Sequence, residues 1–272
     1  GSSCISNSEG RLTLFSNGYQ LFDSTGVHVE NGDSLVPQLI YKKYFGYSGY
    51  AQSSMLLPCK DSIIYLITPT ASNFQVMNWN NNVSYYFDLL LYHKIDMNEN
   101  SGNGKVVKKA IPLLEDTPLS KTQMMACRHS SGEGWWLYKQ ASDTNMVYKF
   151  LVTKDSIYTM GMQGFAEPHF GTYDLAGQSM FNQNGTHYAT TCSSVNDDYL
   201  FLADFDRCNG VLSNPKVYGI PDYPKTPTDS SADNSPGGIC FSPNGRFIYL
   251  VKYYNIFQLD LNDPDSATAW YH

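Results

Sequence analysis

Five times along the chain, a short apolar segment runs into a tight polar turn and out again into a segment rich in aromatic and β-branched residues. The copies are ISNSEGRLTLFSN (Ile5 to Asn17), SSMLLPCKDSIIYLIT (Ser53 to Thr68), TQMMACRHSSGEGWWLYK (Thr122 to Lys139), GQSMFNQNGTHYATT (Gly177 to Thr191) and GICFSPNGRFIYL (Gly238 to Leu250). Asn184-Gly185 and Asn244-Gly245 sit between apolar runs. That pairing predicts a tight hairpin in which both residues take a positive φ. Each copy is followed by an alternating strand that ends in a polar turn: YQLFDSTG, YHKIDMNENSG, YKFLVTKDS, LADFDRCNG and FQLDLNDPDS. Alternation with period two means one face packed and one less buried.

The spacing of these units constrains the fold more than any single motif. From Gly10 to Asp61, Gly134 to Gly185 and Gly185 to Gly245 the intervals are 51, 51 and 60 residues. Kelch-type blades run to about 50 residues and WD-type blades to about 40 to 45. A sandwich has no such internal period, because its strands alternate between two sheets. The expectation is an all-β chain, a β-propeller of antiparallel four-stranded blades with about five blades visible and the last incomplete. Residues 1-272 are expected to form one propeller domain, part of a longer chain. The opening Gly-Ser-Ser lies almost inside a strand pattern, and the sequence stops at Trp270-Tyr271-His272 where a further strand is expected. A partner or missing sequence would then complete the last blade.

Composition narrows the partners. Aromatic residues make up 14% of the chain against 16% charged, a balance that suits strands. The formal charge of -7 is scattered without runs, so no basic stripe is present to neutralise phosphates and no nucleic acid is expected. The longest apolar runs, such as FDLLLY from Phe87 to Tyr92, are far shorter than the roughly 20 residues that span a bilayer, so no membrane span is expected in this chain. The six cysteines show no CxxC and no zinc-type spacing to histidine. Cys127 and Cys240 fall at similar places in their repeats and read as core thiols. Cys192 and Cys208 read as lying at opposite ends of neighbouring strands, which disfavours a bridge between them.

The phrases GRLTLFSNG, VENGDSL, RHSSGEGWWL, FDRCNGVLSNP and GGICFSPNGRFIYL resemble, in order and over nearly the whole chain, the secreted or surface β-propellers of Bacteroidota with WD-like repeats. Members of that group often carry a sorting domain for type IX secretion, and none is visible in this sequence. The resemblance implies an extracellular or outer cell-surface location, and it brings no catalytic motif to transfer.

Several residues are candidates for chemistry. His129, beside Arg128 and near Glu133, has the neighbours of a tuned histidine, but its place at a blade turn favours a structural bond to backbone. Glu167 and His169, in the linker GFAEPHFGTYD, could share a metal or a proton, although two ligands do not make a site. Asp96, Asn98 and Asn100 alternate as in a calcium loop, with Ser101 at the sixth position and Val107 at the twelfth where that loop needs Gly and Glu. No cofactor is expected, calcium being the one candidate that the sequence offers, there and at DLNDPDS (Asp260 to Ser266). A solvated turn accounts for both segments as well. SNSEGRLTLF resembles the Asp-box of sialidase-like propellers, which marks a hairpin rather than a reaction. Asn82-Val83-Ser84 and Asn184-Gly185-Thr186 match the glycosylation triplet. Trp135 and Trp136, adjacent on a strand, should point to opposite faces.

The best binding candidates are aromatic. Tyr41, Tyr44, Phe45, Tyr47 and Tyr50 crowd one loop, and Trp79 lies in the Asn-rich insertion from Gln75 to Ser84. Large amphipathic rings give contact area at low entropic cost. Together these features favour a binding or interaction module without catalysis, whose partner is a protein or glycan at the cell surface. Two alternatives stand beside it: a propeller-fold enzyme acting on extracellular polysaccharide, with residues converging at the channel, and a structural subunit of a surface assembly.

Overall fold

The computed structural model describes residues 2-80, 86-142, 144-166, 177-193, 198-221, 236-252, 255-265 and 269-271. The chain is all-β and built from propeller blades. Its sheets are consecutive antiparallel meanders, each formed from strands adjacent in sequence. β1 (Ser3–Ser6), β2 (Leu12–Ser16) and β3 (Leu21–Asp23) form the first sheet. β4 (Met55–Pro58), β5 (Ile63–Thr70), β6 (Leu89–Asp96) and β7 (Lys105–Leu114) form the second. The third contains β8 (Leu119–Arg128), β9 (Trp135–Ala141), β10 (Met146–Val152) and β11 (Ile157–Gly164). The fourth has β12 (Ser179–Phe181), β13 (His187–Ser193), β14 (Asp198–Asp206) and β15 (Val211–Gly219). The fifth has β16 (Pro236–Phe241), β17 (Phe247–Lys252), β18 (Asn255–Asp260) and β19 (Trp270–Tyr271).

The repeat read from sequence therefore corresponds to five sheets. One detail differs. The fifth sheet does have a fourth strand, only two residues long, and the three-stranded sheet is the first. A second difference lies in the turns. Gly185 and Gly245 take φ of 65° and 73°, whereas Asn184 and Asn244 keep negative φ. Gly185 N–H donates to the Asn182 carbonyl, and Gly245 N–H to that of Ser242, both at 2.9 Å. These are longer loops closed by a left-handed glycine, and Asn244 contributes through its side chain, whose Oδ1 accepts from Arg246 N–H at 3.1 Å. Consecutive positive φ values occur instead in other turns, such as Asp61-Ser62 at 58° and 64°.

The chain divides into two compact units: Gly1–Thr122 with Ser131–Trp135 and Phe150–Met160, and Gln123–Ser130 with Trp136–Lys149 and Gly161–His272. In the first unit, Leu14 and Leu21 of the first sheet pack with Leu56, Ile64, Leu66 and Ile95 of the second, all buried. In the second, Ala189, Leu200 and Leu202 pack with Ile239, Ile248, Leu250 and Leu259. Burying each Leu or Ile side chain is worth about 1.5–3 kcal/mol, so these inter-sheet layers are the main source of stability in each unit.

Polar contacts fix how neighbouring hairpins meet. In the first unit Trp135 Nε1 donates to the Pro58 carbonyl at 2.9 Å, and Lys154 pairs with Asp61 at 2.6 Å. In the second, the turn between β14 and β15 is gripped by three side chains. Trp136 Nε1 donates to the Arg207 carbonyl at 2.9 Å, while Tyr138 Oη and Lys149 Nζ both donate to that of Gly210 at 2.7 Å. Trp135 and Trp136 thus serve opposite faces of β9, as the pleat requires. Gly210 has φ of 58°, and a Cβ there would lie 2.5 Å from the Trp136 ring. Gly210→Ala should destabilise the protein by about 2–4 kcal/mol, combining backbone strain with a clash against a gripped ring. Denaturant unfolding measures it, with Asn209→Ala at the exposed turn as the smaller comparison.

The cysteines are all thiols. Cys127 and Cys192 are buried, but Cys240 is exposed, which corrects its reading as a core thiol.

His93 on β6 is fully buried. Its Nδ1 accepts from Ala110 N–H at 3.0 Å, at a bulge in β7 where Ala110 takes φ of 53°. The proton of the neutral ring is therefore on Nε2, which has no partner. Burial, with the nearby Lys109 charge adding to it, pushes the His93 pKa down to about 3 from 6.5. The unfolded chain binds the proton first. This contribution to stability is accordingly complete above about pH 6.5 and is lost as pH falls from there toward 3, on the order of 5 kcal/mol in all. His93→Gln keeps an acceptor for Ala110 and should flatten that part of the stability-versus-pH curve, read from urea midpoints between pH 7 and 4.

Candidate functional site

In a four-stranded meander, the link between the second and third strands leaves from the same end of the sheet as the links to the neighbouring sheets. For the second sheet that end carries the only α-helices among the described residues. α1 (Gln38–Lys43) lies in the β3–β4 link, and α2 (Asn73–Asn80) in the β5–β6 link. The two helices pack together, and Leu39 N–H donates to Asn73 Oδ1 at 3.2 Å.

α2 was read as part of an Asn-rich loop. The helix starts instead on a Ser-x-x-Gln sequence: Ser72 Oγ accepts from Gln75 N–H at 3.2 Å. Asp88, at the base of β6, holds the cap in place by accepting from Ser72 N–H at 2.6 Å. That capping signal was available in the sequence, and the run of asparagines obscured it. Val76 is buried, while Phe74 and Met77 face solvent.

The aromatic loop divides into anchors and presented rings. Tyr41 Oη accepts from Gln20 Nε2 at 2.9 Å, and the Tyr44 and Tyr50 hydroxyls are 3.0 Å apart. Tyr50 meets Phe87 edge to face at 5.2 Å. Asn17 Nδ2 donates to the Gly46 carbonyl, and Ser48 N–H to that of Asn17, both at 3.1 Å. Below them Tyr19 is fully buried; its hydroxyl lies near Ser48 and Thr70 without a hydrogen bond, and burial raises its pKa. Phe45 and Tyr47, by contrast, are 88% and 53% exposed. Phe45 also takes φ of 54°, a left-handed conformation that costs a non-glycine residue on the order of 1 kcal/mol.

Of the predicted binding residues, then, Tyr41, Tyr44 and Tyr50 build the support, and Phe45 and Tyr47 are displayed. Phe74 and Met77, which composition does not single out, are also displayed, on α2, the helix that packs against α1. Trp79 belongs to the last turn of α2, and its side chain is outside the described residues, as are Glu167, His169 and the triplet Asn82-Val83-Ser84.

The remaining polar candidates are engaged in structural contacts. His129 Nε2 lies 3.2 Å from the Cys208 carbonyl, with its ring 5.7 Å from that of Trp136. Asp96 Oδ1 accepts from Asn98 N–H at 2.9 Å, an Asx turn that lowers the loop onto a short 3-10 segment at Asn100–Gly102. Asp260 receives Arg246 through both oxygens, at 2.6 to 3.2 Å, and that charge-assisted pair holds its pKa below the usual carboxylate range. Among the described residues no three His, Cys, Asp or Glu side chains gather as metal ligands would.

No protein-family model matches the chain, and no curated protein matches it. Solved structures do resemble it at low identity. The periplasmic gluconolactonase PpgL of Pseudomonas aeruginosa is 13% identical with a TM-score of 0.49, over 97% of this chain and 60% of its own. The Dos1 propeller is 13% identical with a TM-score of 0.46, over 97% and 63%. TolB of Acinetobacter baumannii is 10% identical with a TM-score of 0.36, over 96% and 50%. The chain spans half to just under two thirds of the length of these proteins, and the likeness carries no shared activity.

Proposed function

We propose that the protein is a binding module of the extracellular space or outer cell surface, and that its ligand docks on the helical cap of the first unit. One observation carries this reading: Phe45, Tyr47, Phe74 and Met77 are large apolar side chains held in solvent by a hydrogen-bonded support. Single exposed apolar residues need no explanation, but two on α2 and two on the loop that follows its packing partner α1 are what a docking platform would present. Aromatic faces of this kind stack on the apolar faces of sugars or on peptide side chains. The location rests on the resemblance of the repeat phrases to secreted Bacteroidota propellers.

The support matters as much as the rings. The Tyr44 and Tyr50 hydroxyls meet each other and that of Tyr41 is held by Gln20, so little conformational entropy remains to be lost when a ligand arrives. The test is a pair of variants, Phe45→Ser with Tyr47→Ser, and Phe74→Ser with Met77→Ser, screened against glycan and peptide arrays beside the parent protein. Each pair should weaken binding about tenfold or more, as loss of a central aromatic anchor does, with thermal unfolding unchanged. Undiminished binding by both pairs, or turnover of a polysaccharide by the parent protein, overturns the reading.

A further inference from the structure

The last strand of each sheet is an edge strand, and edges with free backbone groups invite another strand unless they are guarded. Four of the five are guarded. β3 and β19 are only three and two residues long. β7 carries Lys105, Lys108, Lys109 and Pro112, with a left-handed bulge at Ala110. β15 carries Pro215 and Lys216, with a left-handed residue at Asn214 and a register shift against β14.

β11 has none of these protections beyond the left-handed Gly161. Its sequence, IYTMGMQG, contains no charge and no proline, and the uncharged run extends from Ser156 to Ala166. Its middle is exposed throughout, with Tyr158, Met160 and Met162 at 50%, 46% and 44%. The fold thus guards the other four last strands and leaves this one without such devices.

We propose that β11 is a self-association edge, pairing antiparallel with β11 of a second copy of this chain. Charge selects this occupant. Two copies each carrying a formal charge of -7 repel, and an uncharged edge lets them approach without setting like charges opposite one another. The residues are also self-complementary. Antiparallel pairing centred on Met160 sets Met160 against Met160 and Tyr158 against Met162 of the second copy, a sulfur-to-ring contact. One eight-residue strand is a small interface, so the dimer is weak and concentration-dependent.

Sedimentation equilibrium from roughly 1 to 300 µM tests it, a range in which weak dimers form. The parent protein should shift from monomer toward dimer, and more so at higher salt, which screens the repulsion. Met160→Lys and, independently, Met162→Lys should weaken association about tenfold, each bringing a charge into the contact. Val217→Lys, on the guarded edge β15, should not. Circular dichroism confirms that each variant is folded, and either β11 variant suffices. A parent protein that stays monomeric across the range overturns the proposal, as does a dimer that folded β11 variants leave intact.

Discussion

A sheet whose second strand is apolar on both sides cannot stand alone in water. β5 reads IIYLITPT and is buried from its second residue to its last, and β9 is buried from Trp136 to Ala141. A strand that faces solvent on one side alternates; these do not, so both faces of each sheet need a neighbour. That requirement makes the repeat a structural necessity rather than a duplication without consequence. Leu66 on β5 has Leu14 and Leu21 of the first sheet to pack against, and Leu250 on β17 has Leu200 and Leu202 of the fourth. The polar clasps act on top of this. They set register, because Trp136 and Tyr138 donate only when the Arg207 and Gly210 carbonyls arrive at the right depth.

The meander separates two tasks between the ends of a sheet. The turns after the first and third strands offer carbonyls that side chains of a neighbouring hairpin take, as at Pro58 and Gly210. They have no freedom to vary without loosening the core. The links at the other end are bound only by their attachment points, so they can lengthen and acquire helices. α1 and α2 are such additions, tied to the sheets through Asn17, Gln20 and Asp88.

The hairpins were legible because a turn glycine and its flanking apolar runs fix local geometry without help from the rest of the chain. What depended on contacts from elsewhere in the fold was not. Cys127 and Cys240 each lie one residue before the end of their strands, β8 and β16, yet one thiol is buried and the other exposed. The Cys127 Sγ lies against the turn at Gly185, a neighbour that its own repeat does not encode. In the Asn-Gly turns only the glycine takes the left-handed region, and Asn244 works through its side chain. At the cap, composition pointed to the right segment, but the division of Tyr41, Tyr44 and Tyr50 from Phe45 and Tyr47 depends on which hydroxyls find partners across the fold. No local spacing encodes that.

Phe45 shows what the partners accomplish. A phenylalanine at φ of 54° with its ring in solvent loses on two counts, backbone strain and unburied apolar surface. A free loop would relax both by turning the ring inward. The loop cannot do so, because Gly46, next in sequence, is fixed through its carbonyl to Asn17, and a Cβ there would lie 3.0 Å from the Tyr41 hydroxyl. Three tyrosines and two amide side chains therefore hold one aromatic outward against its own preference. Strain kept at an exposed position by a fixed set of hydrogen bonds is stored energy that a ligand covering the ring would release in part, which ties the conformation of the loop to the proposed use of the cap.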